Sequence, residues 1–451
     1  MSANAASKTS GSWLEYLNRP VDAASLGVFR IVFGAMIAWD AYRYLQHGWV
    51  EEYFVRPSLH FTYLYFDFVR PLPPPWIYAH FWFIAAMGIL VALGLFYRAA
   101  IVALAVGYTY FFLLEQSVYM NHYYLILLLC WLLSLMPADR AYSLDRWRGA
   151  TVAATVPQWC VLLLRLQLFI VYFYGAIAKV NPDWLRGEPM YSELAKRGED
   201  VPPIAYNFPP ALLAYVIAYS GLLVDAAIPV LLSIRRLRWV GYAVAFAFHA
   251  LNAIFLHIGI FSYLMIGAIT IFFEPDWPRR AARYFGRTAG AAPLVRQEGR
   301  TGILVLAFLH VYVAFQLLFP FRHLLFPGDV SWSEEGHRFA WHMKLRKKDS
   351  NISILATDPS TGRRWAIDPR KELRPRQLAK LATFPDIMLQ YVHHTRDRLK
   401  RDGVADPEIR VEWKASLNGG PVGLLLDPSV DLAKVERSWR PSPWILPKPQ
   451  R

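Results

Sequence analysis

Three small groups of polar residues sit inside or at the ends of long apolar runs, where their presence needs a reason. The first is Lys179, which closes the run RLQLFIVYFYGAIAKVNPDW (165–184) just before an Asn-Pro-Asp-Trp break. A lysine there has two readings. Its ammonium can snorkel to a membrane interface, or it can lie in a dry pocket where desolvation favours the neutral amine, which can then act as a base. The second group is Asn121-His122, at the start of another apolar run, and the third is His249, Asn252 and His257. Spacings of three and five do not match a HExxH-type metal helix, and no carboxylate accompanies them, so no metal is expected. A histidine that orients a neighbour or hydrogen-bonds a ligand oxygen stands against one that is merely satisfied inside a helix bundle.

The elements that must hold these groups are set by composition. Of 451 residues, 55% are hydrophobic and 16% aromatic, and the apolar residues come in long blocks, the pattern of a polytopic membrane protein. Residues 1–24 lack the apolar core and small-residue cleavage site of a secretory signal, so the first spanning helix is expected to serve as the insertion signal. The net charge of +14 comes from arginines gathered in loops between apolar blocks, which is a topological pattern and disfavours nucleic-acid binding. Cys130 and Cys160 both lie in apolar runs, so neither a disulfide framework nor a zinc site is indicated.

Hydropathy gives nine candidate spans, 25–45, 76–96, 99–119, 123–136, 159–178, 211–233, 240–256, 260–273 and 302–321, of which 123–136 and 260–273 are short. With Lys179 set aside, fifteen Lys and Arg fall on the side of the N-terminus and five on the other. The positive-inside bias then places the N-terminus in the cytoplasm and the C-terminus outside, with Lys179 and Asn121-His122 level at the outer end of the bundle. The aromatic-rich loop 46–75, ending in RPLPPPW, and the loop 181–210 are long enough to roof a cavity. After residue 321 the composition is that of a soluble domain. ISILATD, PSTG and RRWAID read as a hairpin, 378–401 as one helix, and EIRVEWKASL, NGG, PVGLLLD as a second hairpin.

The expected fold is therefore a polytopic α-helical membrane protein of about nine transmembrane helices with a small α+β C-terminal extracytoplasmic domain. Residues 1–24 form a cytoplasmic segment, 25–321 the transmembrane helical domain with its cavity, and 322–451 the outer domain. Other charges at membrane depth call for structural partners. Arg30 and Asp40, ten residues apart, are each expected to find one on another helix, and Arg165 to be neutralised by a carboxylate such as Asp225 or Asp40.

The run from Arg165, together with SLGVFRIVFG, MNHYYL, FHALNAIFLHIGIFSYLM, FAWHMKL, TDPSTGRRWAIDP, DIMLQYVHHTRDRL and GLLLDPSVDL, resembles the vitamin K-dependent γ-glutamyl carboxylases and their bacterial relatives, colinearly over 25–447. The resemblance implies a membrane enzyme that couples oxygenation of a reduced naphthoquinone, giving an epoxide, to carboxylation of a protein glutamate. On that likeness Lys179, in AKVNPDW, is the base that deprotonates the hydroquinone, and His122, in MNHYYL, assists it with Asn121 beside it. His249, Asn252 and His257 are then candidates for cofactor binding. The glutamate-binding segment corresponds to 339–347, with Phe339, Trp341, Met343 and Arg346 as substrate-binding candidates. It also implies reduced vitamin K or a menaquinone-type hydroquinone as cofactor, with O2 and CO2 as co-substrates. The implied partners are the lipid bilayer, a glutamate-containing peptide or protein and a quinone reductase.

The chain departs from animal members in several ways. Both cysteines lie in spans, so a disulfide to the outer domain is not possible. The long C-terminal extension has no counterpart, which points to a bacterial inner membrane with the outer domain in the periplasm. Lys344 and Arg346 make the substrate-side segment more basic. Two other function classes stay open: a quinol-oxygenating enzyme with a non-glutamate substrate, and a non-catalytic transporter or lipid-binding protein, although no inverted repeat supports the latter.

Overall fold

The computed structural model describes residues 12–151, 153–195, 206–255, 259–286 and 301–450. The membrane part is built from apolar helices α1 (Ala24–Gln46), α2 (Trp76–Leu93), α3 (Tyr97–Leu114), α4 (Asn121–Leu135), α5 (Gln158–Lys179), α6 (Pro210–Ser233), α7 (Arg238–Phe255), α8 (Phe261–Ala268, continued by a 3-10 turn Ile269–Phe272) and α9 (Ile303–Leu318). Six of them, α1, α2, α3, α5, α6 and α9 with its 3-10 extension to Leu325, are long and apolar enough to cross a membrane. The other three expected segments are also helical, but shorter or interrupted by polar residues.

Helices α1 and α2 cross with their backbones close together. A Cβ on Gly34 would lie 2.5 Å from the Gly88 carbonyl oxygen and the Ala92 nitrogen, and one on Gly88 would lie 2.9 Å from the Gly34 carbonyl oxygen. Two glycines facing each other let the backbones touch, which lipid-facing residues could not allow.

Of the charges inside this bundle, Arg30 finds its expected partner on another helix, whereas Asp40 and Arg165 are answered differently from the sequence expectation. Arg30 is fully buried and donates to the carbonyls of Val91 (3.0 Å), in the last turn of α2, and Tyr142 (2.6 Å). Among the described residues Arg165 pairs with no carboxylate; it donates to the carbonyls of Ile271 (2.8 Å) and Phe273 (2.7 Å), at the end of the 3-10 turn that follows α8. The two carboxylates expected for it are taken elsewhere. Asp40 bonds Arg43 on its own helix at 3.1 Å, not a residue of another helix, and Asp225 bonds Lys179.

The outer part carries a four-stranded antiparallel sheet, β1 (Lys348–Thr357), β2 (Arg364–Ile367), β3 (Glu408–Leu417) and β4 (Gly423–Leu424), in the order β2-β1-β3-β4. Strands β1 and β3 pair along their full length, from Lys348 opposite Leu417 to Thr357 opposite Glu408. Alternate residues Ile409, Val411, Trp413, Ala415 and Leu417 point inward, the period of a strand buried on one face. The single helix expected over 378–401 is two, α10 (Pro375–Leu381) and α11 (Pro385–Arg401). Phe384, ahead of Pro385, is driven to an extended conformation (φ −111°, ψ 113°), which breaks the helix.

Two cores form, and each borrows a side chain from the other half of the chain. Phe61, from the loop between α1 and α2, is buried in the outer core with Trp332, Tyr391 and Trp413, while Trp341 is buried in the membrane core. Glu115 ties the exchange together. Its carboxylate accepts the Phe61 and Ser117 amides, the Gln377 side-chain amide (3.2 Å) and an interaction with His60 Nδ1 (3.2 Å). Substituting Gly34 with Ala should cost roughly 1–3 kcal/mol through overpacking at the α1–α2 contact, read as a lowered midpoint of thermal unfolding in detergent; an unchanged midpoint would show that the two helices separate freely.

Candidate functional site

Helix α5 runs as an uninterrupted apolar helix until Lys179, because Pro182 cannot continue it and Asn181 instead caps the next short helix, its side chain accepting the Trp184 amide at 2.9 Å. Lys179 is thus the last helical residue. Its side chain turns inward and is only 8% exposed, so it does not snorkel. Nζ donates to Asp225 Oδ2 of α6 at 2.6 Å and to the Gly175 carbonyl at 3.1 Å, and lies 5.3 Å from the Trp184 ring centroid. The backbone around the pair is bare. A Cβ on Gly175 would sit 3.2 Å from Asp225 Oδ2, and one on Gly221 would sit 3.8 Å from Lys179 Cε.

Tyr172 lies seven residues, two helical turns, before Lys179 and so on the same face of α5. Its hydroxyl meets Nε2 of the buried His249 at 2.6 Å, and His249 Nδ1 has no partner. The ring of Phe261 stands 5.7 Å from His249 and 6.0 Å from His122. His122 has no hydrogen-bond partner among the described residues; its ring packs edge-on against Tyr123 at 4.4 Å. Asn121 donates to the His342 carbonyl at 2.7 Å and accepts from the Tyr119 hydroxyl at 2.9 Å, and that hydroxyl in turn receives the Phe339 amide at 2.7 Å.

These bonds draw the segment Phe339–Met343 down onto the helices. Phe339, Trp341 and Lys344 all hold left-handed backbone, with φ of 63°, 59° and 55°. Bulky residues take that conformation only where the surroundings impose it, at about 1–3 kcal/mol each. The imposing contacts are aromatic. Trp341 is fully buried 5.1 Å from Tyr124, and Phe339 packs 4.9 Å from Tyr124 and 5.3 Å from Tyr119. Met343 then reaches α5, its Cε 3.3 Å from where a Gly175 Cβ would be. The groups form a ring: Lys179 with Asp225, then Tyr172 two turns back on α5 with His249, then Phe261, His122 and Asn121, and back through 339–343 to Gly175.

The structure gathers Lys179, His122, Asn121, His249, Phe339, Trp341 and Met343 around this ring. It does not gather Arg346, whose Nε bonds Glu334 and whose Nη1 meets His337 Nε2 at 2.7 Å. Asn252 is partly buried one turn beyond His249 and makes no hydrogen bond to the ring residues, and His257 lies outside the described residues. Asp225, Tyr172, Tyr119, Tyr124 and Phe261 are additions from the fold. The seven-residue spacing to Lys179 marks Tyr172, and Asp225 is the one carboxylate in the apolar run 210–233. Among the described residues no group of three or more His, Cys, Asp or Glu is placed to hold a metal. Two hollows lie elsewhere: a groove of about 710 Å³ beside Tyr142 and Trp147, and a cleft of about 720 Å³ beside His60, Arg70 and His393.

Residues 18–277 match the HTTM domain, and residues 301–451 match the lumenal domain of vitamin K-dependent gamma-carboxylase. The chain belongs to the vitamin K-dependent gamma-carboxylase family. No solved structure matches it. At the level of this gamma-carboxylase family the reaction is vitamin K-dependent carboxylation and the cofactor is vitamin K, and the apolar helices make the chain an integral membrane protein.

Behind the strained segment of this gamma-carboxylase relative, the lumenal-type domain buries a cluster of bases. Glu334 is bound by Arg346 and by Lys348 at 3.0 Å, and the rings of His337 and His323 lie 5.4 and 4.9 Å from that of His342. Burial, reinforced by the charge of Arg346, holds His337 well below its ordinary value; burial, with His323 and Arg346 adding to it, lowers His342 to about 3. Both rings are therefore neutral in the folded chain, while the unfolded chain protonates them near pH 6.5. The unfolded state binds more protons below that pH, so stability is complete above it and declines as the pH falls towards 3. Thermal midpoints measured from pH 7.5 down to 5 should fall, and fall less in His337→Gln; a pH-independent midpoint would contradict the burial of neutral rings.

Proposed function

We propose that the chain is a membrane carboxylase that uses a reduced vitamin K or menaquinone-type hydroquinone, O2 and CO2 to carboxylate the γ-carbon of glutamate in a peptide or protein, with quinol epoxidation as the coupled reaction. The observation that carries this reading is the buried Lys179–Asp225 pair, set in a ring of aromatic and amide groups and closed over by residues 339–343. The side chains suit such a cofactor. Among the described residues His122 makes no hydrogen bond and Trp341 Nε1 and His342 Nδ1 lack partners, which fits a planar ligand carrying oxygens, while Phe261, Tyr124 and Phe339 offer apolar walls.

When bound, the hydroquinone would supply, with oxygen, a base far stronger than any side chain, as removal of a γ-C–H proton requires. The residues have narrower tasks. Lys179 Nζ takes a hydroxyl proton: the O–H bond breaks, the electron pair stays on oxygen and an N–H bond forms. Asn121 and His122 hold and polarise the hydroxyl. Trp341, Phe339 and Tyr124 exclude the water that would quench strong bases. His249, fixed by Tyr172, borders the cofactor space, and Phe339, Trp341 and Met343 form the side facing the glutamate. Arg346 shapes that side through Glu334.

The arginine distribution supports a cytoplasmic N-terminus, nine crossings and an outer domain in the periplasm of a bacterial inner membrane. Turnover consumes a hydroquinone, so a quinone reductase must serve as partner. The test is transfer of labelled bicarbonate to a glutamate-containing peptide by purified protein in detergent, with reduced vitamin K and oxygen. Label that requires the quinol and vanishes in Lys179→Ala, with the variant's melting profile retained, is the expected outcome. Epoxide without label would move the function to a quinol-oxygenating enzyme with another substrate. Epoxidation surviving in Lys179→Ala would remove that residue's role, and neither product would leave a transporter or lipid-binding protein.

A further inference from the structure

A buried ion pair needs a reason, because two well-packed apolar groups stabilise a fold as well or better. Both members here are almost wholly enclosed, with 8% of the Lys179 side chain and 6% of Asp225 exposed. The other buried carboxylates that tie segments together each gather two or more donors. Glu115 accepts from the amides of Phe61 and Ser117 and from Gln377, and Glu334 accepts from Arg346 and Lys348. Asp225 is different. Its one hydrogen bond among the described residues is the 2.6 Å contact from Lys179 to Oδ2. As the neutral amine a base must be, Lys179 has two N–H groups, which its bonds to Asp225 and to the Gly175 carbonyl use, and its lone pair is left to take a proton. The pair therefore stands open on both sides, and glycines at 175 and 221 keep backbone, not side chains, around it.

The neighbours do not complete the set. Tyr172, within electrostatic reach of Asp225, gives its hydroxyl to His249 and not to the carboxylate. Trp184 presents its ring to Lys179 while its Nε1 bonds the Ala218 carbonyl at 2.8 Å. Met343 brings a thioether, which offers the pair no strong donor.

We propose that Asp225 is the positioning residue for the Lys179 amine: it fixes Nζ beside Gly175 and supplies the counter-charge when Lys179 takes a proton. This rests on Lys179 acting as a base. An acid's O–H bond breaks with its electron pair left on oxygen, the N–H bond forms at Nζ, and the new ammonium faces a carboxylate already in place. Without Asp225 the same transfer would leave a lone cation among apolar helices, which is the costly state. With a glutamate the charge would be kept but displaced by a methylene group, so part of the rate would be lost with the placement of the amine.

The experiment uses the full chain in detergent, with Asp225→Asn and Asp225→Glu, and two measurements. The first is kcat and KM for hydroquinone epoxidation. The second is the rate at which acetic anhydride acetylates Lys179, followed by mass spectrometry, which needs no turnover. The expected result is a kcat lowered roughly 10²-fold in Asp225→Asn with KM unchanged, an intermediate kcat in Asp225→Glu, and faster acetylation of Lys179 once the carboxylate is gone. Unchanged kcat in Asp225→Asn, or a raised KM with kcat kept, would overturn the proposal. If Asp225→Asn fails to fold, Asp225→Glu decides, since full kcat there shows that the placement of the charge does not matter. If the unaltered protein shows no epoxidation, the functional reading fails separately, and an acetylation rate indifferent to Asp225 would then sink the coupling itself.

Discussion

Lipid offers no hydrogen-bond donor or acceptor, so every charge inside the helical part must be answered by protein. The chain meets this constraint twice with backbone carbonyls. Arg30 is closed off by the ends of α2 and the turn at Tyr142, and Arg165 by the 3-10 turn after α8. These guanidiniums staple helix ends, each through two donors set on fixed backbone acceptors. Lys179 is answered by another charge, Asp225, and incompletely. That difference separates cations held by neutral backbone from one held by a carboxylate, in a setting kept clear by the surrounding glycines.

The site depends equally on a segment that does not belong to the helices. Residues 339–344 adopt left-handed backbone at three bulky positions, and the tyrosines Tyr119 and Tyr124 at the α3–α4 end of the bundle hold them there. Strain of this kind persists only when packing over-determines it. The same contacts place Met343 against α5 and the His342 carbonyl on Asn121, so the lid over the pair is positioned from two helices at once.

Much of this was legible in the sequence for a simple reason: ionisable and amide groups are rare in apolar runs, so Lys179, Asn121, His122 and His249 stand out. Their pairings were not legible. Whether Asp225 faces Arg165 or Lys179 depends on the rotation of α6 about its own axis, which hydropathy does not specify. Tyr172 and Tyr124 are lost among 25 tyrosines. The outer hairpins could be read because strand alternation and an Asn-Gly-Gly turn are local signals, with Asn418 and Gly419 at positive φ as such a turn requires. The break before Pro385 was written in the chain as well, but amphipathic periodicity runs through it. The left-handed Phe339, Trp341 and Lys344 carry no sequence mark, since the residues that usually announce that conformation are glycine and asparagine.

Phe61 sits in the outer core and Trp341 in the membrane core. Neither half can be completed by its own stretch of chain: the loop after α1 emerges from synthesis some 270 residues before the β1 strand it will pack beneath. The finished outer core therefore waits on the last third of the polypeptide, and the loop must stay available until then. In evolution the same exchange ties the two parts together. A lumenal-type domain recruited from a relative would arrive with a hole where Phe61 belongs, so the loop between α1 and α2 and the outer domain are expected to be inherited as one piece.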